Sequence, residues 1–151
     1  MSKRPFTVRQ ATIEDLDRIA PLFDAYRQFY RQPSDLDRAR RFLLERFAHN
    51  QSILFLAAND SDALGFTQLY PSFSSVSMAR IFILNDLFVA PEARGLGVGS
   101  ALLAAAAEYA RRLGAIRLVL STEVTNRTAQ SVYEGGGWQR DEVFYVYNLP
   151  L

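Results

Sequence analysis

The sequence predicts a mixed α/β domain. Three observations carry that expectation. Apolar residues recur at helical spacing in some stretches and in short strand-like runs in others. Those stretches follow the order strand, two helices, three strands, helix, strand, helix, strand. Finally, 151 residues, with no repeat, low-complexity tract or linker, fit one domain spanning residues 1–151.

The first strand is expected at Phe6 to Gln10. Thr12, three residues before Asp15, is a capping-box start for a helix carrying Leu16, Ile19, Ala20, Leu22 and Phe23 on one face. Pro21 lies inside that pattern and is expected to kink or break it. A second helix opens at Ser34, with Asp37 three residues on, and presents Leu36, Ala39, Phe42, Leu43 and Phe47. Ser52 to Ala58 and Ala63 to Tyr70 read as a hairpin around the turn residues Asn59 to Asp62, ended by Pro71. Ser72 to Ser77 reads as a loop, and Ile81 to Val89 as a strand interrupted by polar Asn85 and Asp86. Gly97 to Leu113 is a helix stopped by Gly114, with Arg111 and Arg112 at its negative end. Ile116 to Thr122 is a strand, Arg127 to Glu134 a helix capped by Asn126, and Val143 to Leu149 a terminal strand.

Composition removes several classes. With 49% hydrophobic residues and a net charge of +1, the chain is neither disordered nor a nucleic-acid binder working by bulk charge. The absence of cysteine excludes disulfides, thiol nucleophiles and thiolate metal sites. A single histidine, His49, reads as an exposed helix-end residue and supplies neither a histidine metal site nor a Ser/His/Asp triad, so no metal is expected. Met1 to Gln10 is charged and not a signal peptide, and no apolar run approaches the ~20 residues that span a bilayer. A soluble, cytoplasmic protein with no membrane partner is expected.

The most informative stretch is Arg94-Gly95-Leu96-Gly97-Val98-Gly99-Ser100, between a strand and an alanine-rich helix. Glycines let backbone N–H groups face a ligand, and the helix start adds free donors and a positive dipole end, together a diphosphate cradle. A plain tight turn is the simpler alternative. A nucleoside-triphosphate loop needs a Lys-Ser/Thr pair after its last glycine; here Ser100-Ala101 follows Gly99, and the sole lysine is Lys3. A dinucleotide fingerprint runs G-x-G-x-x-G directly after an early strand; here the spacing is G-x-G-x-G, late in the chain, which speaks against a nicotinamide-dependent reductase.

Arg94-x-x-Gly97-x-Gly99, preceded by Asn85-Asp86-Leu87-Phe88-Val89-Ala90-Pro91, resembles the acetyl-CoA signature of the GNAT superfamily of N-acetyltransferases. Downstream, Asn126-x-x-Ala129-x-x-x-Tyr133-x-x-x-Gly137-Trp138 resembles that superfamily's second motif at matching spacing. The element order from Phe6 to Leu149 matches too, and Asp86-Leu87-Phe88-Val89 is similar to the small-amine, diamine and histone/polyamine branch. The resemblance implies a three-layer α/β/α domain with a mostly antiparallel central sheet, splayed where a bulge opens it. Asn85-Asp86 fits such a bulge. It further implies acetyl transfer from acetyl-CoA to a primary amine by direct attack in a ternary complex, and a homodimer, for which the sequence offers only the aromatic run Phe144 to Tyr147.

On that resemblance the backbone from Arg94 and Gly95 through Leu96, Gly97, Val98, Gly99 and Ser100 holds the CoA diphosphate. The backbone of Leu87, Phe88 and Val89 pairs with pantetheine amides, while Phe88 and Val89 side chains are core. Asn126 caps its helix and, with Ala129, contacts the cofactor. Tyr133 is the candidate general acid, giving a proton to the leaving thiolate; packing alone would also explain a helix tyrosine. The general base stays open. Diamine acetyltransferases carry a glutamate where this chain has Asn85, which takes no proton. Asp86 and Glu123 are candidates, and a route through water and backbone carbonyls is a third option.

Phe29 and Tyr30, within Tyr26 to Tyr30, together with Asn85 and the loop Tyr70 to Phe73, are candidates for the acceptor side, as cation–π walls or as plain packing. Asp24, Asp35 and Asp37 either recruit a cation or sit as solvated helix positions; Arg38, Arg40 and Arg41 read as a solvated face. The expected acceptor is a polyamine or amino-acid-like small amine, with an antibiotic amine, a protein lysine, or a degenerate acetyl-CoA sensor, as alternatives.

Overall fold

The computed structural model describes residues 5–151; Met1 to Arg4, the start of the charged N-terminal stretch, lie outside the described residues. The chain divides into two compact units, one ending at Leu120 and one spanning Ser121–Leu151. Among the described residues no helix is long and apolar enough to cross a membrane.

The first unit is built on one sheet whose five strands lie side by side in chain order. β1 (Thr7–Gln10), β2 (Ile53–Ala58), β3 (Ala63–Ser74) and β4 (Ala79–Val89) are antiparallel neighbours, and β5 (Leu118–Val119) joins β4 in parallel. Helices α1 (Leu16–Phe29) and α2 (Leu36–Ala48) precede β2, and α3 (Val98–Arg112) follows β4. Alternation along β3 shows which helix covers which face. Phe66 meets the rings of Phe23 and Tyr26 on α1, while its neighbour Gly65 lies under Val98 and Leu102 of α3. The unit is therefore a three-layer α/β/α arrangement.

Thr12 starts the helical region as expected. Its Oγ1 accepts from the Glu14 amide at 3.3 Å, and Asp15 accepts the Thr12 amide at 2.9 Å, closing a capping box around one 3-10 turn before α1. Arg9 clamps the Asp15 carboxylate through two hydrogen bonds of 2.7 and 2.6 Å. Pro21 does not break α1, which runs through it from Leu16 to Phe29. A mid-helix proline costs ~3 kcal/mol. Burial of Leu16, Ile19, Leu22 and Phe23 on either side is worth about 1.5–3 kcal/mol for each side chain and outweighs it. The cap of α2 is Asp35, one residue past Ser34, with its carboxylate accepting the Arg38 amide at 3.1 Å. Ser34 instead donates to Asp24 at 2.6 Å.

Two further expectations shift in the central hairpin. β3 does not end at Pro71 but continues to Ser74, and the serine-rich stretch forms its end and the turn into β4. β2 leaves β3 at Leu69, so Pro71 sits where β3 has a free edge and its missing N–H breaks no ladder. In β4, Gln68 pairs with Asp86 but Leu69 pairs with Leu84, leaving Asn85 as an extra residue. The expected bulge is there.

β5 is shorter than the expected Ile116 to Thr122, pairing with β4 only at Phe82 and Ile83. Past the bulge β4 has no partner on that side among the described residues, so the sheet is splayed between β4 and β5. In the second unit, α4 (Arg127–Gly135) is capped by Asn126, whose side chain accepts the Ala129 amide at 3.1 Å. The expected terminal strand Val143 to Leu149 is not one: residues 139–151 form no ladder, and Phe144, Tyr145 and Tyr147 are exposed. Alternating side chains alone do not make a strand without a hydrogen-bonded neighbour.

Two outcomes follow from this packing. A Cβ added at Gly65 would lie 2.8 Å from the Phe88 carbonyl oxygen and 3.0 Å from Val98 Cγ1, where sheet and helix leave no room. Gly65→Ala is expected to lower unfolding free energy by about 1–3 kcal/mol in denaturant titration. Arg9 holds the Asp15 carboxyl below the usual carboxylate range, so its contribution is full above the unfolded pKa of ~3.9 and fades as pH falls through the lower folded value. Asp15→Asn is expected to destabilise by about 1–2 kcal/mol at pH 7, with the deficit against wild type closing below about pH 4.

Candidate active site

The bulge sets which way β4 points. Phe82 packs against Tyr109 of α3, while Phe88 packs against Tyr26 of α1. Six residues apart, these side chains would share one face of a regular strand; the extra residue at Asn85 sends them to opposite faces. Asp86 falls on the α1 side with Phe88. There it forms, with Asn85, part of the wall of an open cavity of about 300 Å³. Phe23 and Tyr26 from α1, Phe42 from α2 and Tyr70 from β3 supply its aromatic walls, and Arg27 and Arg38 add two guanidinium groups.

Asp86 is 2% exposed. Gln68 Nε2 donates to its Oδ2, and Asn85 Nδ2 to its Oδ1 at 2.9 Å. Ser52 Oγ donates to Gln68 Oε1 at 2.7 Å, which fixes the amide with its nitrogen toward the carboxylate. Tyr26 donates its hydroxyl to the Asn85 carbonyl at 3.1 Å. Burial holds the Asp86 carboxyl above the ordinary carboxylate range, and the donors from Asn85, Gln68 and Tyr26 only partly offset this. Burial, then the nearby Asp86 charge, also pushes the Tyr26 phenol up, and the Tyr70 phenol up to about 12. A carboxylate with a raised pKa, lined up by neutral donors in a cavity, is equipped to take a proton. Gln68 is the site residue that sequence reasoning missed. Its signal was a polar residue inside the apolar run Leu64 to Tyr70.

The glycine turn lies in the same unit. Gly95 and Gly97 have φ of +83° and +84°, and a Cβ on either would meet nothing within 4 Å. The first amide of α3 to find a backbone acceptor is Ala101, bonded to Gly97 at 3.0 Å. Those of Gly95, Leu96, Gly97, Val98, Gly99 and Ser100 have none among the described residues. Six successive free donors at the positive end of a 15-residue helix fit a diphosphate. Arg94 closes back on β4, Nε donating to the Val89 carbonyl at 3.2 Å. Apart from the Val89 carbonyl that Arg94 occupies, the edge of β4 at Leu87 to Val89, unpaired by β5, is open to an added strand-like ligand.

Tyr133, Asn126, Ala129 and Glu123 all belong to the second unit. Tyr133 lies on α4 with its ring 6.0 Å from that of Trp138, and Glu123 is exposed just before the helix. Phe29 and Tyr30 meet edge to face with ring centres 5.3 Å apart but do not line the cavity; Phe23 and Tyr26, on the preceding turns, do. Asp24 is no cation trap. It is buried and holds the α1–α2 turn through Ser34 Oγ, the Asp35 amide at 2.8 Å and Gln28 Nε2 at 3.2 Å. Among the described residues no cluster of side chains is arranged to hold a metal ion.

Comparison with known proteins agrees with this geometry. Residues 16–137 match the model of the acetyltransferase (GNAT) family. An uncharacterized N-acetyltransferase, YhfO, of Bacillus subtilis (strain 168) is 52% identical over 145 residues, covering 95% of this chain and 97% of that protein. An aminoglycoside N(6')-acetyltransferase type 1 of Klebsiella aerogenes is 30% identical over 112 residues, 73% of this chain and 74% of that protein. Among solved structures, a probable acetyltransferase superposes with a TM-score of 0.91 at 46% identity, covering 96% of this chain and 97% of its own. The chain belongs to the GNAT family and is an acetyl-CoA-dependent acetyltransferase.

Proposed function

We propose that the protein acetylates a small primary amine by direct attack, with Asp86 as the general base. The carrying observation is the buried Asp86 carboxylate in the wall of the aromatic cavity. A primary ammonium has a pKa near 10.4 and must lose a proton before it can attack. Asp86, raised toward the working pH but anionic above its own pKa, accepts that proton. Gln68 and Asn85 hold one carboxylate oxygen each, so its orientation is set before the acceptor arrives. Bound acetyl-CoA supplies the activated acetyl group as a thioester. The free amides of Gly95 to Ser100 hold its diphosphate, and the open edge at Leu87 to Val89 takes its pantetheine arm. Tyr133 keeps a hydroxyl proton for the departing sulfur, a role that rests on its place in the second family motif, with Asn126 and Ala129 on the cofactor side. No cysteine is present to carry the acetyl group, which favours one direct transfer.

The cavity volume, at the lower end of ligand sites, suits a small amine acceptor. The proposal includes a cytoplasmic setting and a homodimer. The exposed run Phe144 to Tyr147 supports the dimer, and a light-scattering mass of one chain would remove it.

The test is free-thiol release from acetyl-CoA across an amine panel, read as pH profiles. Wild type is expected to lose kcat/KM as pH falls through the raised Asp86 pKa, above the ordinary carboxylate range. Asp86→Asn should lower kcat/KM by roughly 10²–10⁴-fold and remove that limb, with acetyl-CoA affinity retained. A variant within a few-fold of wild type at every pH would assign the base elsewhere. Tyr133→Phe, tested alike, should lower kcat with cofactor affinity preserved.

A further inference from the structure

We infer that the acceptor is a primary amine that also carries an anionic group, a carboxylate or a phosphoryl group, bound by Arg27 and Arg38. The inference rests on Asp86 as the point where the amine is deprotonated, and adds what the rest of the cavity selects. Three charged side chains line the cavity: Asp86, Arg27 and Arg38. Asp86 is buried, Arg27 half-buried and Arg38 exposed, so the negative charge lies deep and the positive charges toward solvent. Arg27 follows Tyr26 on α1, and Arg38 stands one turn before Phe42 on α2, so the two come from separate packed helices onto one cavity.

Neither guanidinium has an ion-pair or hydrogen-bond partner among the described residues, whereas Arg40 and Arg46 on the same helix are paired with Asp17 and Glu45. The nearby carboxylates are otherwise engaged or face elsewhere. Asp24 is held by Ser34, Asp35 and Gln28, and Asp35 caps α2 through the backbone amide of Arg38 itself. Asp37 is exposed and outside the cavity wall. Positive charge also backs the aromatic wall. The Arg46 guanidinium lies 4.3 Å from the Phe42 ring centre with its Nε buried and without an acceptor.

A polyamine does not suit this layout. One ammonium would reach Asp86, and the next would lie beside two unpaired guanidiniums instead of a second carboxylate. An amine with an anion at its far end matches both poles, because guanidinium donors fit carboxylate and phosphoryl oxygens in a forked geometry.

The experiment compares ω-amino carboxylates, ω-aminoalkyl phosphates, n-alkylamines and diamines of matched length. Wild type is expected to favour one anionic series over n-alkylamines by about 10–100-fold in kcat/KM, chiefly through KM. The carboxylate and phosphate arms then identify the anion. In the double variant Arg27→Gln/Arg38→Gln the ratio of anionic to neutral kcat/KM should fall close to one, with melting temperature unchanged. Preference for diamines in wild type, or a ratio that survives in the double variant, would overturn the inference. Calorimetric titration with alkyl carboxylates and alkyl phosphates lacking an amine reads the anion site without turnover. Saturable binding by wild type that the double variant loses supports it, and no binding of either refutes it. If Asp86→Asn turns over normally while the anion preference persists, the base assignment fails and the anion site stands.

Discussion

One extra residue in β4 organises the site. A strand has strict two-residue periodicity, so an insertion exchanges its faces from that point on. Before Asn85, Phe82 serves the α3 layer; after it, Phe88 serves the α1 layer. The same insertion carries Asp86 into the cavity under α1 and α2, and β4 goes on without β5 beside it. A buried carboxylate, an open strand edge and a splayed sheet are three results of one bulge. The bulge is itself held by side chains, since Tyr26 donates to the Asn85 carbonyl and Thr67 Oγ1 to that of Asp86 at 2.7 Å.

Of the three buried carboxylates among the described residues, Asp15 and Asp86 form the sharpest contrast. Both are almost inaccessible, and each has donors on both oxygens. Asp15 faces a guanidinium, its pKa is lowered, and it stabilises the fold over the whole neutral range. Asp86 has only neutral donors, and burial wins, so its pKa is raised. Its linkage runs the other way: the favourable contribution belongs to the acid form and is lost as pH rises through the raised value. At neutral pH the ionised Asp86 is therefore a cost to folding. An arginine partner would have removed that cost and, by the same interaction, the basicity.

Local chemistry announced most of the fold. The Thr12/Asp15 capping box, the Asn126 cap, Gly114 at the end of α3 and the polar pair inside β4 each act within a few residues, and each stands where the sequence placed it. What misled was whatever depended on a distant neighbour. Pro71 looks like a strand terminator until β2 is known to have ended beside it. Val143 to Leu149 has the pattern of a strand but no ladder, and only Leu118–Val119 of the stretch Ile116 to Thr122 forms a ladder with β4. In the site, local rules located the glycine turn and the bulge. They left Asp86 and Glu123 equal, because the distinction between them is burial, and burial is tertiary. Gln68 escaped notice for the same reason: its partner is eighteen residues away across a hairpin.

The choice of cation at the cavity is consistent with acetyl transfer to amines. Any lysine lining such a site would present a primary amine beside an acetyl donor and a proton acceptor, and would compete with the acceptor for the acetyl group. A guanidinium does not, because it stays protonated throughout the accessible pH range. This chain has a single lysine, Lys3, and every other basic side chain except His49 is an arginine. The cavity thus holds positive charge in the form that can grip an anion and cannot be acetylated by the same route. Its one carboxylate, buried and raised in pKa, would on the proposed function meet the opposite requirement, a group that takes a proton and lets it go.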